Sequence, residues 1–139
     1  MFALGEIYLS QKKDSDAEKV LMQGLQIEDR SFQAHLTLGR VYWDMALKIN
    51  DEAQARPLLD KSHEQAKHAL ELNPNLAGGH LLKGNLLFRV RRAPDALHEF
   101  EEYLRLDPKG QFADQTRAVV EKIKKALAQQ KAPEQQKKS

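Results

Sequence analysis

Cysteine is absent from the chain, which removes disulfides, Cys-ligated zinc and Cys nucleophiles together. That absence leaves the compartment open, because reducing and oxidising locations both accept cysteine-free domains. Aromatic residues make up only 6%, and Gly and Pro number 7 and 5 in 139 residues, too few for an all-β fold built on tight turns. No run approaches the roughly 18 apolar residues of a transmembrane helix. No basic segment followed by an apolar one opens the chain, so no signal peptide is read in it. A net charge of +2 is too balanced to mark a nucleic-acid footprint. The expectation is a soluble domain with neither a nucleic-acid nor a membrane partner, and about one domain's worth of chain.

Self-similarity is what the sequence does have. "HLTLGRVY" (His35 to Tyr42) repeats "MFALGEIY" (Met1 to Tyr8), and "HLLKGNLL" (His80 to Leu87) is a weaker third copy. Gly5 and Gly39 are separated by the same interval as Pro74 and Pro108, whereas the interval from Gly39 to Gly84 is longer by eleven. Eleven extra residues therefore fall between Tyr42 and about Ser62. The shorter interval is a fixed period within the range that marks a helical array.

Each unit reads as a helix pair. Phe2, Leu4, Ile7 and Tyr8 give the first helix, and Ser15 and Glu18 are spaced as a capping box for the second. Ala17, Val20, Leu21 and Leu25 carry that second helix at a 3.6-residue period. In the third unit a helix is predicted from about Asn75 to Val90. Pro94 suits the first turn of the next helix, with Ala96, Leu97, Phe100, Tyr103 and Leu104 along its buried stripe. "LDPKG" ends it. A seventh helix follows, with Phe112, Thr116, Val119, Val120, Ile123 and Leu127 on one stripe, and "APEQQKKS" loses all periodicity.

These residues resemble the tetratricopeptide-repeat pattern, W-x2-L-G-x2-Y…A-x3-F…P, which recurs every ~34 residues. The copies run Met1-x2-Leu4-Gly5-x2-Tyr8…Ala17-x3-Leu21, His35-x2-Leu38-Gly39-x2-Tyr42…Ser62-x3-Ala66…Pro74, and His80-x2-Lys83-Gly84-x2-Leu87…Ala96-x3-Phe100…Pro108. Departures are the missing Trp, Lys83 for Leu, Asp29 for the first Pro, and the insertion. The resemblance implies an all-α, right-handed α-solenoid of antiparallel helix pairs with about seven helices. It divides into repeats at about 1–30, 31–75 and 76–110, a capping helix at 111–130, and a disordered tail at 131–139.

A Gly inside a helix costs roughly 1 kcal/mol relative to Ala. Gly5, Gly39 and Gly84 are expected to offset that cost by leaving a notch into which the second helix of the same unit fits, with Ala17 and Ala96 as its small partners. The eleven extra residues are about three helical turns. They are expected to be split over both helices of the middle unit, with "NDEAQA" as the turn and Pro57 in the first turn of "RPLLDKSHEQAKHALEL". A helix starting at Asp51 and kinking at Pro57, or a longer loop, are the alternatives.

No grouping of residues carries catalysis. His63 and His68 are five apart, about 140° round a helix, not the i, i+4 spacing of a zinc helix. His35 and His80 occupy the family's Trp position and are expected to pack at a helix interface; His98 is expected at the surface. Asp14–Ser15–Asp16 lacks the Gly and terminal Glu of a calcium loop, and "AGGH" lacks the remainder of a phosphate cradle. No enzyme, metal or cofactor is expected.

The resemblance also implies a function. In the family, the first helices build a concave wall whose second, fifth, ninth, twelfth and thirteenth positions hold a partner peptide. By phase these are Gln33, Leu36, Arg40, Trp43 and Asp44, then Gly78, Leu81, Asn85, Phe88 and Arg89, with Phe2, Glu6, Leu9 and Ser10 in the first unit. Trp43, the only Trp, either faces the groove or packs inside the lengthened unit. Asn85 suits the relatives that clamp a C-terminal carboxylate, but Leu36 and Leu81 stand where Lys would be needed. The expectation is a non-catalytic protein–protein interaction scaffold. Alternatives are a self-assembly segment of a longer repeat protein, with a homo-oligomer formed through the uncapped first repeat, or an accessory domain beside an enzyme.

Overall fold

A computed structural model describes residues 5–6, 13–27 and 30–138. Among them run six helices: α1 (Asp14–Ile27), α2 (Phe32–Leu47), α3 (Glu52–Leu72), α4 (Ala77–Arg89), α5 (Ala93–Leu106) and α6 (Ala113–Lys138). No strand occurs among the described residues. Gly5 and Glu6 are also helical, while Tyr8, Phe2, Leu9, Ser10 and the rest of the expected first helix lie outside the described residues. Each helix packs on the next in sequence, and α2 also touches α4. This nearest-neighbour stacking is that of an all-α solenoid.

Local chemistry sets the helix ends. Ser31 caps α2 by accepting from the Ala34 N–H at 3.1 Å. Asp51 caps α3 by accepting from the N–H groups of Ala53 and Gln54 at 2.8 and 3.3 Å. At the end of α4 the chain turns through Arg91, in the left-handed region at φ 65°. That turn lets the Arg92 N–H reach back to the Leu87 carbonyl at 2.9 Å, satisfying an end carbonyl. The buried faces form three cores in chain order: Ala17, Leu21, Leu38 and Tyr42; then Leu36, Leu59, Ala66, Leu82 and Leu86; then Leu87, Ala96, Phe100, Val120 and Ile123.

The glycine notches are occupied, though not all from the same side. A Cβ at Gly5 would stand 2.6 Å from Leu21, and one at Gly84 2.7 Å from the Phe100 ring. In both cases the plug comes from the second helix of the same unit. The plugging residue lies four positions beyond the expected small partners, Ala17 and Ala96, which are themselves fully buried. Gly39 differs. Position 66 is Ala, too short to fill its notch, and Leu82 of the following unit approaches to 2.9 Å instead. Ser62 then reaches Gly39 from its own unit by donating a hydrogen bond to its carbonyl at 2.7 Å.

Several sequence expectations are corrected. The eleven extra residues are shared unequally: α2 has 16 residues against 13 in α4, α3 has 21 against 14 in α5, and the turn between them has four against three. Pro57 lies inside α3 rather than in its first turn, because Asp51 starts the helix earlier. The carbonyl that Pro57 cannot serve belongs to Ala53, whose residue is exposed, so water can take the bond. Ser15 is no cap, since α1 already starts at Asp14. Asp14 is instead buried and accepts the Lys48 ammonium at 2.6 Å across two units. Helical backbone continues to Lys138 through the stretch expected to be structureless.

Candidate partner-binding groove

Helix α2 presents Arg40, Trp43 and Asp44 on one face, because i, i+3 and i+4 positions stack. They line a groove of about 750 Å3 together with Gly78, Leu81, Leu82 and Asn85 of α4. Phe100 closes its floor, and Gln111, Phe112, Gln115, Thr116 and Val119 form the far wall.

Arg40 lies across the start of α4, where the missing side chain of Gly78 makes room: a Cβ there would meet Arg40 Nη2 at 2.8 Å. Desolvation by the surrounding walls lowers the Arg40 pKa, and the Glu6 carboxylate opposes that shift. An arginine so shifted is still charged at neutral pH, and the residue remains exposed. Trp43 meets both of its alternatives, since one flank packs on the middle core while the other lines the groove. The Arg89 guanidinium sits 5.8 Å from the centre of its ring, within cation–π reach.

Four expected groove residues are elsewhere. Leu36 is only 6% exposed and belongs to the middle core, with Gly78 over it. Arg89 is held by the fold: its Nη2 donates to the Ala46 carbonyl at 3.4 Å and pairs with Glu52 at 3.6 Å. Phe88 is exposed, edge-on to Phe100 at 6.4 Å and outside the groove. Gln33 is exposed and also outside it. In the other direction, sequence reasoning missed the α6 wall. Phe112, Gln115 and Val119 lie one repeat step beyond Gly78, Leu81 and Asn85. The repeat step carries the signal, but periodicity alone puts Phe112 and Val119 on the apolar stripe of a capping helix. Its buried stripe is Ala113, Thr116, Val120 and Ile123, so Phe112 is left 41% exposed to the groove.

The histidines at the Trp position bridge the two helices of their units. His35 Nδ1 and Gln65 Oε1 are 2.7 Å apart, and His80 Nδ1 and Glu99 Oε2 are 2.6 Å apart. Gln65 and Glu99 are themselves one repeat step apart. The His80 Nε2–H also donates to the Pro74 carbonyl at 2.8 Å. His68 packs its ring on His35 at 5.4 Å and pairs with Glu64, and His98 is exposed. Among the repeat-signature residues, Tyr42 is buried and donates to Met22 Sδ at 3.8 Å. Burial first, and the Glu18 carboxylate second, push the Tyr42 phenol upward. Pro108 accepts at its carbonyl from Arg117. Among the described residues no group of three or more His, Asp or Glu could hold a metal, and no helix is long and apolar enough to cross a membrane.

No family model matches the chain. A 78-residue stretch is 33% identical to Hsp70-Hsp90 organizing protein 3 of Arabidopsis thaliana, covering 55% of this chain and 14% of that protein. The chain thus spans a small part of that relative's length. Among solved structures, the first tetratricopeptide domain of Spaghetti (RPAP3), bound to the HSP90 peptide SRMEEVD, superposes with a TM-score of 0.75 at 17% identity, over 91% of this chain and 90% of that one. PcrH, in complex with the chaperone binding region of PopD, gives a TM-score of 0.75 at 14% identity over 91% and 90%. At such identities the likeness speaks for the fold. The in-phase repeat pattern, the stacked helix pairs and these likenesses agree: the chain has the fold of a tetratricopeptide-repeat domain.

Proposed function

We propose that the groove between α2, α4 and α6 binds an extended or helical segment of a partner protein, without catalysis. The observation that carries this reading is that Trp43, Arg40 and Phe112 line one groove from opposite sides, with Phe112 in particular left open. Aromatic and arginine side chains are those that most often dominate binding energy at interfaces. The peptide-bound Spaghetti and PcrH structures support the same mode of use by relatives of this fold. The chemistry of this groove is its own. Leu36 is buried and Leu81 half-buried where a carboxylate clamp would need lysines, so the segment bound here presents apolar side chains to Trp43, Leu81 and Phe112, with Arg40 and Asn85 as its polar anchors.

The test is to select peptides from a random display library on the intact protein and titrate them while following the fluorescence of Trp43. Phe112→Ala and Arg40→Ala are each expected to weaken a selected peptide by about tenfold or more, a hot-spot effect. The SRMEEVD peptide is expected to bind more weakly than those selected. Selected peptides whose affinity is indifferent to Phe112→Ala, Arg40→Ala and Asn85→Ala would reject this groove.

A further inference from the structure

We propose that Arg89 is a positioning residue for the groove: it is not among the residues that line it, and it acts by holding the Trp43 indole with one flank presented. The proposal rests on the groove reading above and starts from a buried donor. Nη1 of Arg89 is buried with no hydrogen-bond partner among the described residues, and the side chain as a whole is only 16% exposed. An unmatched buried N–H on a charged group is costly, so another attraction has to offset it. The Trp43 ring supplies one, with its centre 5.8 Å from the guanidinium carbon. Cation–π attraction is strongest over indole and grows as the cation is desolvated, and a ring face also accepts weakly from N–H groups.

The remainder of the arginine is fixed. Its Nη2 donates to the Ala46 carbonyl at 3.4 Å, at the C-terminal end of α2, where the helix dipole favours a cation. Glu52, the first residue of α3, stands 3.6 Å from the same nitrogen. Arg89 therefore ties α4 to the ends of both helices of the middle unit, and Trp43 lies one turn before Ala46 on the first of them. The indole thus meets that guanidinium and the middle core, and its remaining surface lines the groove. The third unit supplies the contrast. Phe88 is the twelfth residue of α4 as Trp43 is of α2, but the position one repeat step beyond Arg89 is Ile123, which carries no charge. Phe88 is 46% exposed and stands outside the groove. A side chain ordered in advance need not be ordered by its ligand, which is worth about two- to tenfold in affinity.

The test uses the intact protein, whose only Trp is Trp43, so that its emission reports this ring alone. In the free wild type, ring current is expected to move the Arg89 Nη protons upfield of those of exposed arginines in NMR spectra. Trp43 fluorescence anisotropy is expected to decay only as fast as the molecule tumbles. Arg89→Met, which keeps the apolar stem and removes the cation, should add a faster decay, whereas Glu52→Gln, which removes only the ion pair, should not. Peptides selected on the groove, carrying their own dye, should bind Arg89→Met about two- to tenfold more weakly, with no such loss in a Trp43→Ala background. Peptides indifferent to Trp43→Ala would reject the groove reading, while the free-protein measurements still decide whether Arg89 holds the indole. Ordinary Nη shifts in the wild type overturn the proposal without any variant. So does indole motion unchanged by Arg89→Met in a protein with an unchanged helical spectrum, or an equal loss of affinity with and without Trp43.

Discussion

The middle and third units solve one packing problem in two ways. Both place a Gly at the eighth residue of the first helix, Gly39 in α2 and Gly84 in α4, and both leave a notch there. In the third unit Phe100 fills the notch from α5, so the plug and the hole belong to one pair. In the middle unit the equivalent residue is Ala66, and the plug is Leu82, borrowed from the next unit. The comparison teaches that the repeat pattern prescribes the hole, while the identity of the filler depends on which neighbour has volume to spare. A short filler at 66 moves the seal from inside a unit to the boundary between units.

The strongest way to break this comparison is to remove the plugs. Phe100→Ala is expected to cost about 3–5 kcal/mol, the range for emptying a buried aromatic site. It should destabilise the third unit selectively, as read by hydrogen exchange in α4 and α5. Leu82→Ala, by contrast, should raise exchange in both α2 and α4. Next in size are the notches themselves. Gly84→Ala drives a methyl into a buried ring at 2.7 Å and is expected to cost about 1–3 kcal/mol in chemical denaturation. Gly39→Ala should cost less, because its nearest neighbour is one terminal methyl of Leu82, and less again in a Leu82→Ala background, where the Ser62 carbonyl oxygen at 3.3 Å is the tightest contact left. Equal costs for the two alanines would break the comparison.

A smaller effect separates the helix ends. Lys48 ends α2 in ordinary right-handed geometry at φ −84°, whereas α4 ends through Arg91 at positive φ. Arg91→Gly is expected to stabilise by about 0.5–1 kcal/mol, because a side chain in left-handed geometry carries a steric penalty that glycine lacks. Lys48→Gly should give no such gain, which a shift in denaturant midpoint would measure. The smallest effect is a pH dependence. His63 in α3 stands one repeat step before Leu97 in α5, a titratable group where the third unit has an apolar one. Burial first and the Lys83 charge second lower the His63 pKa from its ordinary 6.5. As pH falls through that ordinary value the unfolded chain gains the proton first, so the stability contributed by neutral His63 is lost from about pH 6.5 downward. His63→Leu should flatten that part of the profile, as read by denaturant midpoints above and below it.

Much of this architecture was legible because the repeat step is a physical ruler. It placed Arg40, Trp43, Asp44, Leu81 and Asn85 on one wall, and one further step would have added Phe112, Gln115 and Val119. It failed at Leu36, where the groove closes over the core, and at Arg89, which a carbonyl at the end of the lengthened α2 draws into the fold. The division of the eleven residues was not legible either. Pro57 reads as a helix start, and only the Asp51 cap together with solvent beside Ala53 lets the helix begin before it. The borrowing of Leu82 was beyond a ruler that compares each unit only with itself.

Leu82 has a consequence for how this array could be edited. A unit whose seal comes from its successor is not a freestanding brick: cutting the chain after the middle pair would leave an open slot along α2, and grafting a different pair behind it would demand a side chain of leucine's reach at that one spot. Shuffling of pairs is therefore restricted at this junction, and the two pairs should travel together as one module.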